Sequence, residues 1–381
     1  MKLSEDLIEA IISKDPVKGY THNFYRYPAR FSPQFVRAII SQFSNAHDVV
    51  LDPFMGGGTS VIEALAMNRS AIGIDINELA YFVADVKTTP LSVKDKRQIL
   101  DWFLQVKHSI SHNVRSATQV ANLPVYIQSL FALYLTNIEQ LASDRQRRFA
   151  QCVLLKTGQW AVDCRYKLPD VQLIVDKINS NASEMLRGLD AFLNACHKAG
   201  VPKNQITFRR ELFCQSAVDL DKLPEVVNLM NKPRLVVTSP PYPGVHVLYH
   251  RWQINGRRET PAPYWLASLN DGNGEVFYTL GGRSKIGVEK YFISIAQAFR
   301  SIRNVIHPNA YVFQLVAFSR IEEQLIKYLH AMKEAGYKEV QLYKNDEQAS
   351  IWRKVPNRKW YSRVKGEHDC IKELLLVHQP S

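Results

Sequence analysis

Asp48-Val49-Val50-Leu51-Asp52-Pro53-Phe54-Met55-Gly56-Gly57-Gly58-Thr59-Ser60 opens on an apolar, β-branched run, crosses three consecutive glycines and leads into an apolar stretch that reaches Ala66. The first part predicts a short buried strand. The glycines predict a turn whose backbone can pass close to a ligand, and the helix beyond offers free N–H groups. Ser70-Ala71-Ile72-Gly73-Ile74-Asp75-Ile76 follows as a second buried strand ending in an acid. Strand, glycine turn, helix and strand with a terminal Asp make one half of a doubly wound nucleotide-binding fold. A phosphate-binding loop would need Gly-Lys-Ser/Thr, but Gly58 runs straight into Thr59, so a nucleoside triphosphate site is disfavoured.

Working outward, the next informative segment is Arg234-Leu235-Val236-Val237-Thr238, an apolar strand that ends at Ser239-Pro240-Pro241-Tyr242. In an α/β sheet the carboxyl end of a strand is where ligands bind. Two prolines fix the backbone and remove two donors, leaving carbonyls that can only accept. A tyrosine beside them can stack on a flat base. That combination suits an amino group held by acceptors. Asp75, at the tip of its strand, suits the ribose hydroxyls of a cofactor such as NAD or S-adenosylmethionine.

Before the first strand, Pro28 and Pro33 bracket a short interruption, and a helix is expected from Gln34 to Phe43. Residues 91–204 have helical periodicity over Ile99–Val106, Tyr126–Leu141 and Val171–Cys196, and read as a mostly helical insertion. Strands and helices then alternate again. Strands are expected at Gln205–Phe213, Tyr311–Phe318, Tyr337–Tyr343 and Glu373–His378, and helices at Lys290–Ile306 and 321–335. Segment 250–287 has loop character. The division is therefore 1–90 as the first part of a catalytic domain, 91–204 as the insertion and 205–381 as the remainder.

The chain of 381 residues carries a net charge of +12, which favours a polyanionic partner because each Lys or Arg on a phosphate releases a counterion. Arg145, Arg147, Arg148, Lys156, Arg165 and Lys167 cluster in the insertion, and Arg257, Arg258, Arg283 and Lys285 lie in 250–287. Both groups are candidates for duplex contact. His246, Tyr249, His250, Arg251 and Trp252 follow the Ser-Pro-Pro-Tyr segment closely and are candidates for a base pocket. Met1 to Pro16 has no signal-peptide core, and no run is apolar enough to span a bilayer, so a cytoplasmic protein without a membrane partner is expected. The five cysteines, Cys152, Cys164, Cys196, Cys214 and Cys370, lack paired spacing, so neither a disulfide framework nor a metal site is expected.

On these motifs the chain resembles the amino-methylating DNA methyltransferases, which modify cytosine N4 or adenine N6. Asp52 to Thr59 looks like their cofactor motif, and Gly73-Ile74-Asp75-Ile76-Asn77 like their acidic second motif. Ser239 to Tyr242 matches the catalytic motif in the form usual for cytosine-N4 enzymes. Tyr27 to Pro33, including Phe31, resembles the segment beside the cofactor. Gln215-Ser216-Ala217-Val218-Asp219-Leu220 resembles the third motif, with Gln215 and Ser216 where a Gly-Asp pair is usual. Arg353 to Arg363, with Val355-Pro356-Asn357-Arg358-Lys359, resembles the late segment near the target-base pocket.

The resemblance covers about 20–90 and 205–380 and leaves the insertion outside, as a candidate DNA-recognition element. It implies a doubly wound α/β fold with a mostly parallel sheet of the class I methyltransferase type. S-adenosylmethionine is implied as cofactor, held by Phe31, Asp52, Pro53, Phe54, Gly56, Gly58, Thr59, Asp75, Asn77, Ser216 and Ala217. The implied reaction is site-specific methyl transfer to an exocyclic amino group, cytosine N4 ahead of adenine N6, on a base flipped from double-stranded DNA. Ser239, Pro240, Pro241 and Tyr242 would be catalytic, with a cognate restriction endonuclease as a further partner. An RNA amino-methyltransferase and a non-catalytic DNA-recognition subunit are the alternatives. Carbon-5 cytosine chemistry is disfavoured, since no Pro-Cys pair occurs.

Overall fold

The computed structural model describes residues 1–381 apart from 14, 16, 28–30, 109–118, 244–250, 255–257, 272–277, 279, 283, 345–346 and 355–371. Its strands are β1 Val49–Asp52, β2 Ser70–Asp75, β3 Arg210–Cys214, β4 Leu235–Thr238, β5 Trp252–Ile254, β6 Arg258–Thr260, β7 Tyr311–Val316, β8 Tyr337–Glu339, β9 Tyr343–Lys344, β10 Glu347–Gln348, β11 Trp352–Lys354 and β12 Lys372–Pro380. The first eight helices are α1 Glu5–Ile12, α2 Pro33–Phe43, α3 Thr59–Ala66, α4 Glu78–Thr88, α5 Val93–His108, α6 Val125–Thr136, α7 Asp144–Val162 and α8 Val171–Lys198.

The main sheet runs β11-β12-β7-β4-β1-β2-β3, with β8 also paired to β12. From β3 to β7 the neighbours are parallel. β12 then enters antiparallel to β7 and carries β8 and β11 antiparallel on its other edge. Alternate residues of each strand enter different cores, as the two-residue period of a strand requires. Val50, Leu235, Val237 and Phe313 join the core under α1 to α4. Val49, Leu51, Ile72, Val236 and Val312 join the core under the helices Lys285–Val305 and Ile321–Glu334. Both faces are covered, which is why these strands read as nearly unbroken apolar runs. Successive strands β1, β2 and β3 step one way across the sheet, and β4 and β7 lie on the other side of β1. The reversal between β1 and β4 leaves a crevice at their carboxyl ends.

Among the described residues the insertion contributes α5 to α8 and no named strand. It shares one core with α1 to α4, and α8 lies against α3 and α7 against α4. Part of its basic cluster is paired within the fold. Arg148 donates to Asp85 of α4 at 3.0 Å and sits over the Phe82 ring, Arg145 pairs with Asp95 at 3.1 Å, and Lys156 pairs with Glu184 at 3.0 Å. Arg165 stacks on Trp160.

Several expected boundaries move. The strand expected at Gln205–Phe213 is confined to Arg210–Cys214, and short 3-10 turns occupy 203–205 and 207–209. A strand extends only where a partner edge exists, and β2 begins to pair β3 at Ala71 opposite Arg210. The alternation before that point leaves Phe208 84% exposed. The strand expected at Tyr337–Tyr343 breaks in two, because β12 pairs only its first three residues and Tyr343 instead meets β10 and the N-terminal Lys2. The helix expected from Lys290 starts at Lys285, where Ser284 Oγ accepts from the Gly287 N–H at 3.0 Å. Segment 250–287 is not wholly loop. It holds the β5–β6 hairpin and a helix Ala262–Leu266, with Trp252 buried and its indole N–H donating to the Tyr25 hydroxyl at 2.9 Å.

Candidate active site

The crevice opens as a cleft lined by the ends of β1, β2 and β4. One flank comes from the ends of β1 and β2. The glycine turn there is held from three sides. The Gly56 N–H donates to Asp75 Oδ2 at 2.9 Å. The buried Lys87 of α4 donates to the Gly57 carbonyl at 2.7 Å. Gly58, with φ +74°, caps α3, and a Cβ there would come within 2.9 Å of Ala84 Cβ. At Gly56, with φ +47°, a Cβ would press on the Tyr27 ring at 3.1 Å. Only glycine lets the ring and the turn approach so closely at these angles.

Asp75 lines the cleft at the end of β2. Its Oδ1 accepts from the Asn77 N–H at 2.9 Å, so each carboxylate oxygen carries one backbone donor and keeps a lone pair. Burial pushes its carboxyl up to about 6, against the pull of those two N–H groups. Asn77 is 2% exposed, caps α4 and lines the cleft. Its Oδ1 accepts from the Leu79 N–H at 2.9 Å and from the Tyr264 hydroxyl at 3.1 Å. Those donors identify the oxygen end of the amide. The other end, Nδ2, is buried without a hydrogen-bond partner. Ser216 and Ala217 close this flank. Ser216 Oγ accepts from the Val218 N–H at 3.3 Å, and the Gln215 N–H donates to the Asp75 carbonyl at 3.0 Å.

The opposite flank is Ser239-Pro240-Pro241-Tyr242, at the end of β4. The Ser239 hydroxyl donates to the Leu315 carbonyl at 3.0 Å and lies 3.3 Å from the Tyr242 hydroxyl. Tyr242 is 3% exposed; its ring walls the cleft while its hydroxyl donates backwards to Glu373 at 2.5 Å. The Tyr291 hydroxyl donates to the Pro241 carbonyl at 2.7 Å, which fixes that peptide.

Of the cofactor residues expected from sequence, the cleft gathers Pro53, Phe54, Gly56, Asp75, Asn77, Ser216 and Ala217, together with the four of the tetrapeptide. Phe31, Asp52, Gly58 and Thr59 do not line it. Phe31 packs on Phe35 with ring centroids 5.6 Å apart, and Thr59 is the buried first residue of α3. Asp52 is 1% exposed and accepts from the Thr238 hydroxyl at 2.8 Å and the Phe54 N–H at 3.2 Å, so it ties the end of β1 to the end of β4. Burial pushes its carboxyl up to about 7. Arg251 is held by Asp271 at 2.8 Å and Glu259 at 3.7 Å. His246, Tyr249, His250, Arg257, Arg283, Val355 to Arg363 and Cys370 lie outside the described residues.

The sequence reading did not single out Lys87, Tyr264, Tyr278, Tyr291 or Glu373. Lys87 left a signal, a cation directly after the mostly apolar run from Leu79 to Val86. The others left none, since each reaches the site through tertiary packing.

The strand order, its reversal at β1 and β4 and the cleft at that reversal define a doubly wound α/β fold of the class I methyltransferase type. A model of the N6_N4_Mtase family, described as DNA methylase, matches residues 9–84. Type II methyltransferase M.MjaII of Methanocaldococcus jannaschii is 28% identical over 135 residues, 35% of this chain and 26% of that protein. Type II methyltransferase M.MvaI of Kocuria varians is 33% identical over 111 residues, 28% of this chain and 24% of that protein. The matched stretch thus spans about a quarter of each of these relatives. Over these stretches the chain is similar to DNA methylases of the N6_N4_Mtase family and to type II methyltransferases. A solved rRNA methyltransferase from Streptomyces viridochromogenes aligns over 98% of this chain and 93% of that one, at 10% identity and a TM-score of 0.34, a likeness too distant to bear on function. Among the described residues no helix is long and apolar enough to cross a membrane.

Proposed function

We propose that this protein is a site-specific DNA methyltransferase that transfers a methyl group from S-adenosylmethionine to an exocyclic amino nitrogen, cytosine N4 in the first instance. The observation that carries the reading is the meeting of Asp75 and Asn77 with Ser239 to Tyr242 across one cleft. The cofactor fits that flank. The buried Asn77 Nδ2 lacks an acceptor, Asp75 has two lone pairs for ribose hydroxyls, and the Tyr27-covered glycine turn leaves room only for backbone. Bound there, S-adenosylmethionine supplies an electrophilic methyl on a sulfonium.

The chain's own contribution is orientation and exclusion of water. The target base leaves the duplex stack and lies against the Tyr242 ring. Ser239 Oγ and the Pro240 carbonyl accept its two amino hydrogens, which turns the nitrogen lone pair toward the cofactor flank. The Pro241 carbonyl is already held by Tyr291. The serine at position 239 favours cytosine, because the resemblance places Ser-Pro-Pro-Tyr with the cytosine-N4 enzymes. With Arg145, Arg148 and Lys156 paired internally, the exposed Arg258 and Lys285 beside the cleft segment become the stronger candidates for phosphate contact. The insertion then acts as a scaffold for a recognition surface rather than through its basic cluster. A cognate restriction endonuclease would be the partner in a cytoplasmic modification system.

Tritiated S-adenosylmethionine with mixed-sequence duplex DNA tests the reading. Label in DNA is expected, and sequencing of the modified bases then separates cytosine N4 from adenine N6. Label in RNA with none in DNA would overturn it.

A further inference from the structure

Three oxygens meet behind the cleft wall: Ser239 Oγ, the Tyr242 hydroxyl and Glu373 Oε1. The Ser239 hydroxyl donates to the Leu315 carbonyl at 3.0 Å, and the Tyr242 hydroxyl donates to Glu373 Oε1 at 2.5 Å. A carbonyl and a carboxylate only accept, so each contact takes the one hydrogen its hydroxyl has. Either oxygen of the contact between Ser239 Oγ and the Tyr242 hydroxyl, at 3.3 Å, could be the donor by geometry, but on this assignment neither has a hydrogen left for it. Ser239 Oγ therefore has its lone pairs available to a donor that arrives from the cleft.

We propose that Glu373 is a positioning residue that sets the polarity of this network: by drawing the Tyr242 hydrogen backwards, it stops Tyr242 from donating to Ser239 and keeps Ser239 Oγ an acceptor for the substrate amino group. Glu373 is 6% exposed, sits on β12 directly opposite Arg353 of β11, and turns its second oxygen to Arg353 Nη1 at 3.6 Å. Arg353 is itself buried, so the pair is a fixed part of the wall. Glu373 does not line the cleft and acts only through Tyr242. The inference rests on the amino-methylation reading, which requires Ser239 to accept.

The test is Glu373→Gln, which preserves shape. Arg353 draws the amide oxygen to its side, so the amide N–H faces the Tyr242 hydroxyl and donates to it. The tyrosine hydrogen then turns to Ser239. The expected result is a kcat about tenfold lower, the scale of one hydrogen bond lost at the reacting group, with the KM for S-adenosylmethionine unchanged. Adding Tyr242→Phe to Glu373→Gln removes the misdirected hydrogen and keeps the ring. The double variant should turn over several-fold faster than Glu373→Gln alone, a reversal that a merely structural role would not produce. Parental kcat in Glu373→Gln, or a double variant no faster than the single, overturns the proposal. A neutron structure of the parent protein decides the polarity without any variant or substrate. Hydrogens on the Leu315 and Glu373 sides uphold it, and a hydrogen between Ser239 Oγ and the Tyr242 hydroxyl overturns it. A parent protein that labels no duplex DNA counts against the amino-methylation reading instead, and the neutron result still decides the polarity.

Discussion

The two flanks of the cleft are assembled in different ways. The β1–β2 flank is centred on one continuous stretch, 49–88, with Tyr27 over it and Ser216 and Ala217 closing it, and many of its contacts are to backbone: Asp75 to the N–H groups of Gly56 and Asn77, Lys87 to the Gly57 carbonyl. The β4 flank is built from side chains far apart in the chain. Ser239 leans on Leu315, Tyr242 on Glu373, and Pro241 on Tyr291. A cofactor that never varies can be met by a local backbone cradle. A base that must be extracted and aligned needs acceptors whose direction is set by several elements at once. The first flank is thus expected to fail by losing affinity, and the second by losing rate.

Tyr242→Ala should break the second flank most severely. Loss of a stacking platform costs about 1–3 kcal/mol per base, and lost alignment adds to it. A fall in kcat/KM for DNA of about 100-fold or more is expected, with an unchanged Kd for S-adenosylmethionine by calorimetry. A parallel loss of cofactor affinity would erase the division between the flanks. Asn77→Asp probes the first flank with a smaller effect. The carboxylate keeps the cap on the Leu79 N–H but replaces the buried donor Nδ2 with an acceptor. Cofactor Kd should rise about tenfold while the melting temperature holds, since Asp caps as well as Asn. An unchanged Kd would remove Asn77 from the cofactor site.

Asp52 lies beneath both flanks, and its substitution should have the smallest effect. Its carboxyl sits at about 7 in the fold, against an ordinary 3.8. The folded chain therefore holds this proton more tightly than the unfolded chain. That contribution to stability is complete below the unfolded value and is lost as pH rises toward 7. Asp52→Asn should accordingly melt higher than the parent at pH 8, with a smaller advantage at pH 5, on a scale of about 2–4 °C per kcal/mol for a large domain. A raised cofactor Kd in the same variant would show that Asp52 reaches the ligand despite its burial.

The glycine turn, the acid at Asp75 and the tetrapeptide were readable because each depends on residue type at short spacing. The strand at Gln205–Phe213 was over-read because alternation marks a segment that can pair without saying where its partner begins. The ion pairs within the insertion's basic cluster were not legible for a related reason. Charge is visible in sequence, but the carboxylates that neutralise Arg145, Arg148 and Lys156 lie on other helices or further along the chain.

By itself, the sequence pointed to a doubly wound α/β sheet containing β1, β2 and β4, and to Asp75 and Ser239 to Tyr242 at its carboxyl edge, because local periodicity and backbone stereochemistry carry those readings. Only the tertiary structure brought acceptors to the hydroxyls of Ser239 and Tyr242. Their partners, Leu315 and Glu373, arrive from strands 76 and 131 residues away, and no local pattern encodes such a meeting.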